Sequence, residues 1–233
     1  MKLSVPIFEL KRQARLMSRD RAIPLRKALD HIAQSEGFKG WSHLAQSIKI
    51  SGPAKSILSG MKAGQMGLLG ARPGHGKTSR GMELAAFAND INRKAVFFSL
   101  EYNDTDIADR VDALGLGRQF KSVVVDTSDD ICAQSIMDRL LKLNANSLAV
   151  VDYLQLLDQK RTHPSVNDQL VSLRQFSRKT GSIILMISQI HRSFDLNAKH
   201  MPDVSDIRMP NPFDMSLFDK KCFLHEGEIQ INA

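Results

Sequence analysis

The chain has 233 residues, a net charge of +7, 42% hydrophobic and 24% charged residues, which describes a globular protein with one sizeable core and room for a small appendage. No apolar run approaches the ~20 residues of a membrane span, and the charged opening MKLSVPIFELKRQARL does not form a secretion signal. Cys132 and Cys222 stand far apart, which excludes a disulfide framework and a cysteine-rich zinc site and suits a reducing cytoplasm.

Charge divides the chain before structure does. Residues 1–50 carry ten basic against four acidic side chains, leaving about +1 for everything after them. Two readings stay open for this stretch: a surface for a polyanion, or a solvated helical face. Ile7, Leu10, Ala14 and Met17 repeat at helical spacing. After Pro24, a second apolar stripe runs through Leu25, Ala28, Leu29, Ile32 and Ala33 and ends at Gly37. A third short helix is expected over 41–48, with Trp41 packing this module together. Ser51-Gly52-Pro53 marks a break, so the expected organisation is a basic helical module over 1–50 and a second domain over 51–233.

From residue 54 the pattern alternates. Strands are expected at 66–69, 95–100, 122–125, 148–151 and 183–187, with helices at 77–89, 104–114, 131–143 and 166–176 between them. The strand runs are apolar without alternation, as in a mostly parallel sheet flanked by helices on both faces, and the whole is an α/β domain.

The stretch GARPGHGKT, residues 70–78, joins the first of these strands to the first helix. That is the setting of a phosphate-binding loop. The loop of Ala71, Arg72, Pro73, Gly74, His75 and Gly76 would wrap an anion with its backbone N–H groups, Pro73 contributing none, and the helix N-terminus adds its positive end. Lys77 supplies a cation for the phosphates, and the Thr78 hydroxyl stands where Mg²⁺ would be held. Strictly, the motif would have glycine at 71; alanine there ends the strand before the loop turns, with Gly70 beside it keeping the turn small. His75 reads as a solvent-facing residue without a role. Three further polar residues follow apolar strands: Glu101 in FFSLEY, a candidate general base; Asp152 in VVDYLQLL, a candidate Mg²⁺ carboxylate expected beside the loop strand; and Gln189 in ISQIHRS, a candidate γ-phosphate sensor. Carboxyl ends of parallel strands gather ligands, so these and the loop could share one site.

These segments, together with PDVSDIR and in this order, resemble the ATPase domain of DnaB-type replicative helicases within the RecA-like P-loop family, over roughly residues 54–210. An alanine opening the loop is usual in that group. The resemblance implies a RecA-like core and a P-loop ATPase, with helicase activity on DNA as its fuller form. It assigns ATP and Mg²⁺ as cofactors, Lys77 and Thr78 to phosphates and metal, Glu101 to catalysis, Asp152 to Mg²⁺ and Gln189 to switching. It further implies a homo-oligomeric ring, with six subunits as one candidate size, threaded by single-stranded DNA. The strand would pass loops at about 158–167, with Lys160, Arg161 and His163, and 193–212, with Lys199, His200 and Arg208. These basic residues read equally as solvated loop charges.

Two departures stand out. Residues 1–50 do not resemble the helicase family's own N-terminal domain, which leaves a replication protein among the candidate partners of this module. The carboxyl end runs NPFDMSLFDKKCFLHEGEIQINA, where the family has a longer segment ending in a basic stretch that supplies an arginine finger to the neighbouring subunit. No arginine here fills that role, and such a finger can be worth ~10³–10⁵ in turnover. A nucleotide-gated binder with little unwinding is therefore the alternative expectation.

Overall fold

Four apolar runs hidden on both sides become the central strands of a seven-stranded sheet. The computed structural model describes residues 4–5, 7–44, 52–99, 101–143, 146–158, 162–196, 199–208, 211–225 and 228–232. Contacts divide the chain into two units, Met1–Pro53 and Ala54–Ala233.

In the first unit, helix α1 (Ile7–Asp20) pairs with α2 (Leu25–Ser35). Leu10 and Ala14 meet Ala28, Ile32 and Ala33, and Phe38 and Leu44 close the small core. Gly37, with φ +84°, turns the chain after α2, a backbone state that glycine adopts at low strain. Trp41 is half-buried against this core, so it packs the unit as expected; its backbone N–H donates to Asp30 Oδ1 at 2.8 Å. Leu25 stays 43% exposed and does not join the stripe. Residues 41–44 are helical, whereas the rest of the expected third helix lies outside the described residues.

The second unit holds strands β1 (Met66–Ala71), β2 (Ala95–Ser99), β3 (Val123–Asp126), β4 (Leu148–Asp152), β5 (Ile183–Gln189), β6 (Lys220–His225) and β7 (Glu228–Asn232). Their order is β3-β2-β4-β5-β1-β6-β7. All neighbours run parallel except β6 and β7, which are antiparallel. Strand alternation sends Phe97, Val150 and Ile187 to one face, against Met82 and Ala85 of α4 (Lys77–Ala86). It sends Val96, Phe98 and Val151 to the other, against Ile136 and Leu140 of α7 (Ala133–Leu143) and Leu170 and Leu173 of α8 (Val166–Thr180). Both faces are covered, which is why these strands lack a polar side. Helices α5 (Asp104–Ala113) and α6 (Gly117–Phe120) complete the first layer. The N-cap Asn103 and Asp106 form a reciprocal capping box at α5.

Two helices were not expected, the short α6 and one that precedes β1. Helix α3 (Pro53–Ser59) starts at the proline read as a break; proline fits a first helical position because its missing N–H has no partner there anyway. Among the described residues no helix is long and apolar enough to cross a membrane.

Glycines inside this layer work by absence. A Cβ at Gly81 would lie 2.5 Å from Ile187 Cδ1, and one at Gly70 would lie 2.9 Å from Phe223 Cδ1. Gly70 therefore does not serve to keep the turn small, contrary to the sequence expectation; it sits inside β1 and admits Phe223 from β6.

Candidate active site

Strand order brings four consecutive carboxyl ends together. Along β2-β4-β5-β1, these ends carry Glu101, Asp152, Gln189 and the loop 71–78. Asp152 is not beside the loop strand, contrary to the sequence expectation. Strand β5 lies between β4 and β1, and it is the reach of Lys77 that closes the gap.

The loop takes its shape from two glycines in the left-handed region, Gly74 with φ +79° and Gly76 with φ +78°. Open space surrounds both Cβ positions, so backbone conformation, not crowding, calls for glycine. Gly76 is the N-cap of α4, whose first residues, Lys77 and Thr78, are buried. Ala71 ends β1 fully buried and opposite Gln189 in register. Arg72 is half-buried, and its Nη1 donates to the Ile190 carbonyl at 3.4 Å. Pro73 is exposed. His75 does not face solvent freely: it stacks on His225 at 5.1 Å between centroids and 10° between planes. Phe194 meets His225 edge-on at 5.0 Å. No sequence pattern links these rings, because β6 reaches the loop only through sheet pairing.

Lys77 is the centre of the cluster. Its Nζ donates to Glu101 Oε2 at 2.9 Å and Asp152 Oδ1 at 3.2 Å, and lies 5.0 Å from the Tyr153 ring centroid. The lysine and Asp152 side chains are 8% and 0% exposed, Glu101 33%. Burial disfavours the ammonium, yet Asp152 and Glu101 outweigh it and hold the Lys77 pKa above the ordinary lysine value. Burial also pushes the Asp152 carboxyl up, against the opposing pull of Lys77 and the Thr78 hydroxyl and with the help of the Glu101 charge. The carboxylate is thus under-compensated where it stands.

Two buried oxygens at adjoining strand ends have no hydrogen-bond partner: Asp152 Oδ2 and Ser99 Oγ, on residues paired in register between β2 and β4. An orphaned buried carboxylate oxygen is costly, and a hard divalent cation with oxygen ligands would satisfy it. With Thr78 at the same point, the donor set fits Mg²⁺. Ser99 escapes sequence reading because a serine after four apolar residues carries no motif.

Gln189 sits at the end of β5, with its side chain turned to the following loop. Its Oε1 accepts from Arg208 Nη1 at 3.2 Å, and Arg208 N donates to the Gln189 carbonyl at 2.8 Å. Gln155, also missed, ties the same place: its Nε2 donates to Ser188 Oγ at 3.2 Å and to the Arg208 carbonyl at 2.7 Å. Arg208 is exposed but held by the site. Lys199 donates to Asp203 at 2.9 Å and Asp206 at 3.2 Å, so its charge is locally matched. His163 faces Asp130 at 3.1 Å. Lys160 and Arg161 lie outside the described residues.

Comparison with known proteins bears on the family and the fold. A profile described as "DnaB-like helicase C terminal domain" matches residues 54–114 and 116–213. Among curated relatives, the replicative DNA helicase DnaB of Mycoplasma genitalium is 24% identical over 72% of this chain and 44% of its own length. The DnaB of Helicobacter pylori strain J99 is 26% identical over 83% of this chain and 50% of its own. The chain thus spans about half the length of the curated relatives it matches. Among solved structures, the ATPase domain of G40P has a TM-score of 0.58 at 18% identity, covering 71% of each chain. A DnaB-like replicative helicase, described with its interactions with primase, has a TM-score of 0.60 at 16% identity over 94% of this chain and 65% of that one. These two likenesses carry the fold, a RecA-like α/β layer.

Proposed function

This chain belongs to the family of DnaB-like helicase C-terminal domains, and from that premise we propose that it binds ATP with Mg²⁺ and hydrolyses it while acting on single-stranded DNA. The observation that carries the reading is the meeting of Lys77, Glu101 and Asp152 at adjoining strand ends, with the glycine loop beside them. The Gly74 and Gly76 backbone and Lys77 would hold the phosphates. Thr78 and Asp152 Oδ2 would hold Mg²⁺, which supplies charge neutralisation on the phosphate oxygens when bound.

Lys77 has a second part. Its ammonium donates to the Glu101 carboxylate. A triphosphate competes for that ammonium, and a Glu101 released from it is free to accept a proton from the attacking water. The lysine therefore couples the arrival of the phosphate to the readiness of the base. Gln189, through Arg208, and Gln155, through Ser188, would pass the loss of the γ-phosphate to the loop after β5.

ATP turnover, measured with and without single-stranded oligonucleotide, tests this reading. DNA-stimulated turnover that Lys77→Ala abolishes supports it; turnover indifferent to both sinks it. A ring-forming motor is its fuller form, checked by native mass with and without ATP.

One observation favours a second reading. Residues 211–233, which include β6 and β7, contain no arginine, so this stretch offers no arginine finger of the kind the resemblance implies. A chain without that group would bind nucleotide and DNA and unwind little. Robust unwinding of a forked duplex disposes of this alternative.

A further inference from the structure

The N-terminal unit holds positive charge in a way that its packing does not explain. On α1 (Ile7–Asp20), Leu10 and Ala14 are buried, whereas Lys11, Arg12, Arg15 and Arg19 are exposed. Lys11, Arg15 and Arg19 recur every four residues, so they form one row along the outward side at ~6 Å intervals. Arg12 reaches Glu9 at 3.6 Å. Among the described residues no carboxylate is paired with Lys11, Arg15 or Arg19. Like charges four apart on a helix repel and work against it. Arg26 and Lys27 add two exposed cations to the first turn of α2 (Leu25–Ser35), a turn without an acidic residue, although a helix N-terminus favours carboxylates. In the other unit, by contrast, Lys55, Arg139, Arg174 and Lys199 each meet a carboxylate.

A self-repelling, evenly spaced row of cations is complementary to an evenly spaced row of phosphates. We propose that the outward face of α1, through Lys11, Arg15 and Arg19, binds the sugar-phosphate backbone of a nucleic-acid strand. The interaction is electrostatic and independent of base sequence. It is made by a unit other than the one carrying the phosphate loop, so it needs no bound nucleotide and stands whether or not the chain hydrolyses ATP. Binding releases condensed counterions, so affinity falls as salt rises.

The test is fluorescence anisotropy of a labelled oligo-deoxythymidine with the full chain, free of nucleotide, across a salt series. The double variant R15A/R19A is the probe; alanine suits an exposed helix position, and circular dichroism checks that helicity is kept. The expected result is affinity lowered about tenfold or more at low salt. The slope of log K against log salt becomes shallower by about 1.4, at about 0.7 for each phosphate that is no longer neutralised. R15K/R19K, which keeps the charge, restores most of the binding. An unchanged Kd and slope in R15A/R19A overturns the proposal. So does a wild-type chain that does not bind the oligonucleotide, the outcome expected if a protein covers this face. Lys77→Ala separates the two readings: it removes turnover and leaves nucleotide-free binding intact.

Discussion

The phosphate loop and helix α1 treat positive charge in opposite ways. Lys77, 8% exposed, is held between buried Asp152 and partly exposed Glu101; the cations of α1 stand in water in a row. A buried ion is stable only when its partners are in place, and removing one partner from such a pair costs several kcal/mol. An exposed cation is screened and worth little alone. A function on the first kind of site depends on each residue and its geometry. A function on the second is a sum over interchangeable charges, sensitive to salt and tolerant of Lys for Arg.

That contrast can be broken most sharply at Lys77. Lys77→Ala should lower ATP turnover by roughly 10²–10³-fold, the scale for removing one preorganised charge-stabilising group, whereas any single alanine on α1 should leave turnover within twofold, a change of roughly 0.4 kcal/mol. A steady-state assay with both variants checks this. Next in size is ligand stabilisation. A non-hydrolysable ATP analogue with Mg²⁺, at about a hundred times its Kd, should raise Tm by roughly 5–10 °C. Asp152→Asn should lose most of that rise in a thermal-shift measurement, because the orphaned oxygen offered to the cation is gone.

A third pair lies between the two extremes. Arg174 on α8 meets Asp219 through both guanidinium nitrogens, and Asp219 Oδ2 also accepts from Met66 N at 2.8 Å. Arg174→Ala should cost roughly 2–3 kcal/mol in urea unfolding, as for hydrogen bonds to charged groups. Burial raises the Asp219 pKa, but Arg174 and the Met66 N–H outweigh it and leave it below the ordinary value of 3.8. The sign follows: this pair contributes fully above the unfolded pKa and is lost as pH falls through the lowered folded value. Unfolding of Asp219→Asn should therefore be less acid-dependent below about pH 4. Gly81→Ala should destabilise by about 1–3 kcal/mol, since the new Cβ meets Ile187. The smallest effect is kinetic. Burial pushes the Cys222 thiol up to about 11, so a maleimide at neutral pH should label half-buried Cys132 and leave Cys222 until the chain unfolds.

Much of this was legible in the chain itself. AVFFSL, LAVV and IILMI reveal their strands because burial on two faces removes every polar residue from a local run. GARPGHGKT reveals a loop because positive φ at Gly74 and Gly76 is a local demand. Helix α3 was missed because Pro53 is as much a helix start as a break, and nothing local decides between them.

Elements, loop and candidate residues follow from patterns within a few positions, since dihedral preference and the periodicity of burial act at that range. Strand order acts across the whole chain. It put β5 between β4 and β1, so that Asp152 reaches the loop through the side chains of Lys77 and Thr78 and not through strand pairing. It also laid His225 on His75 and joined Gln155 to Arg208. Those pairings come from packing both faces of one sheet at once, a collective choice that no short stretch of residues encodes.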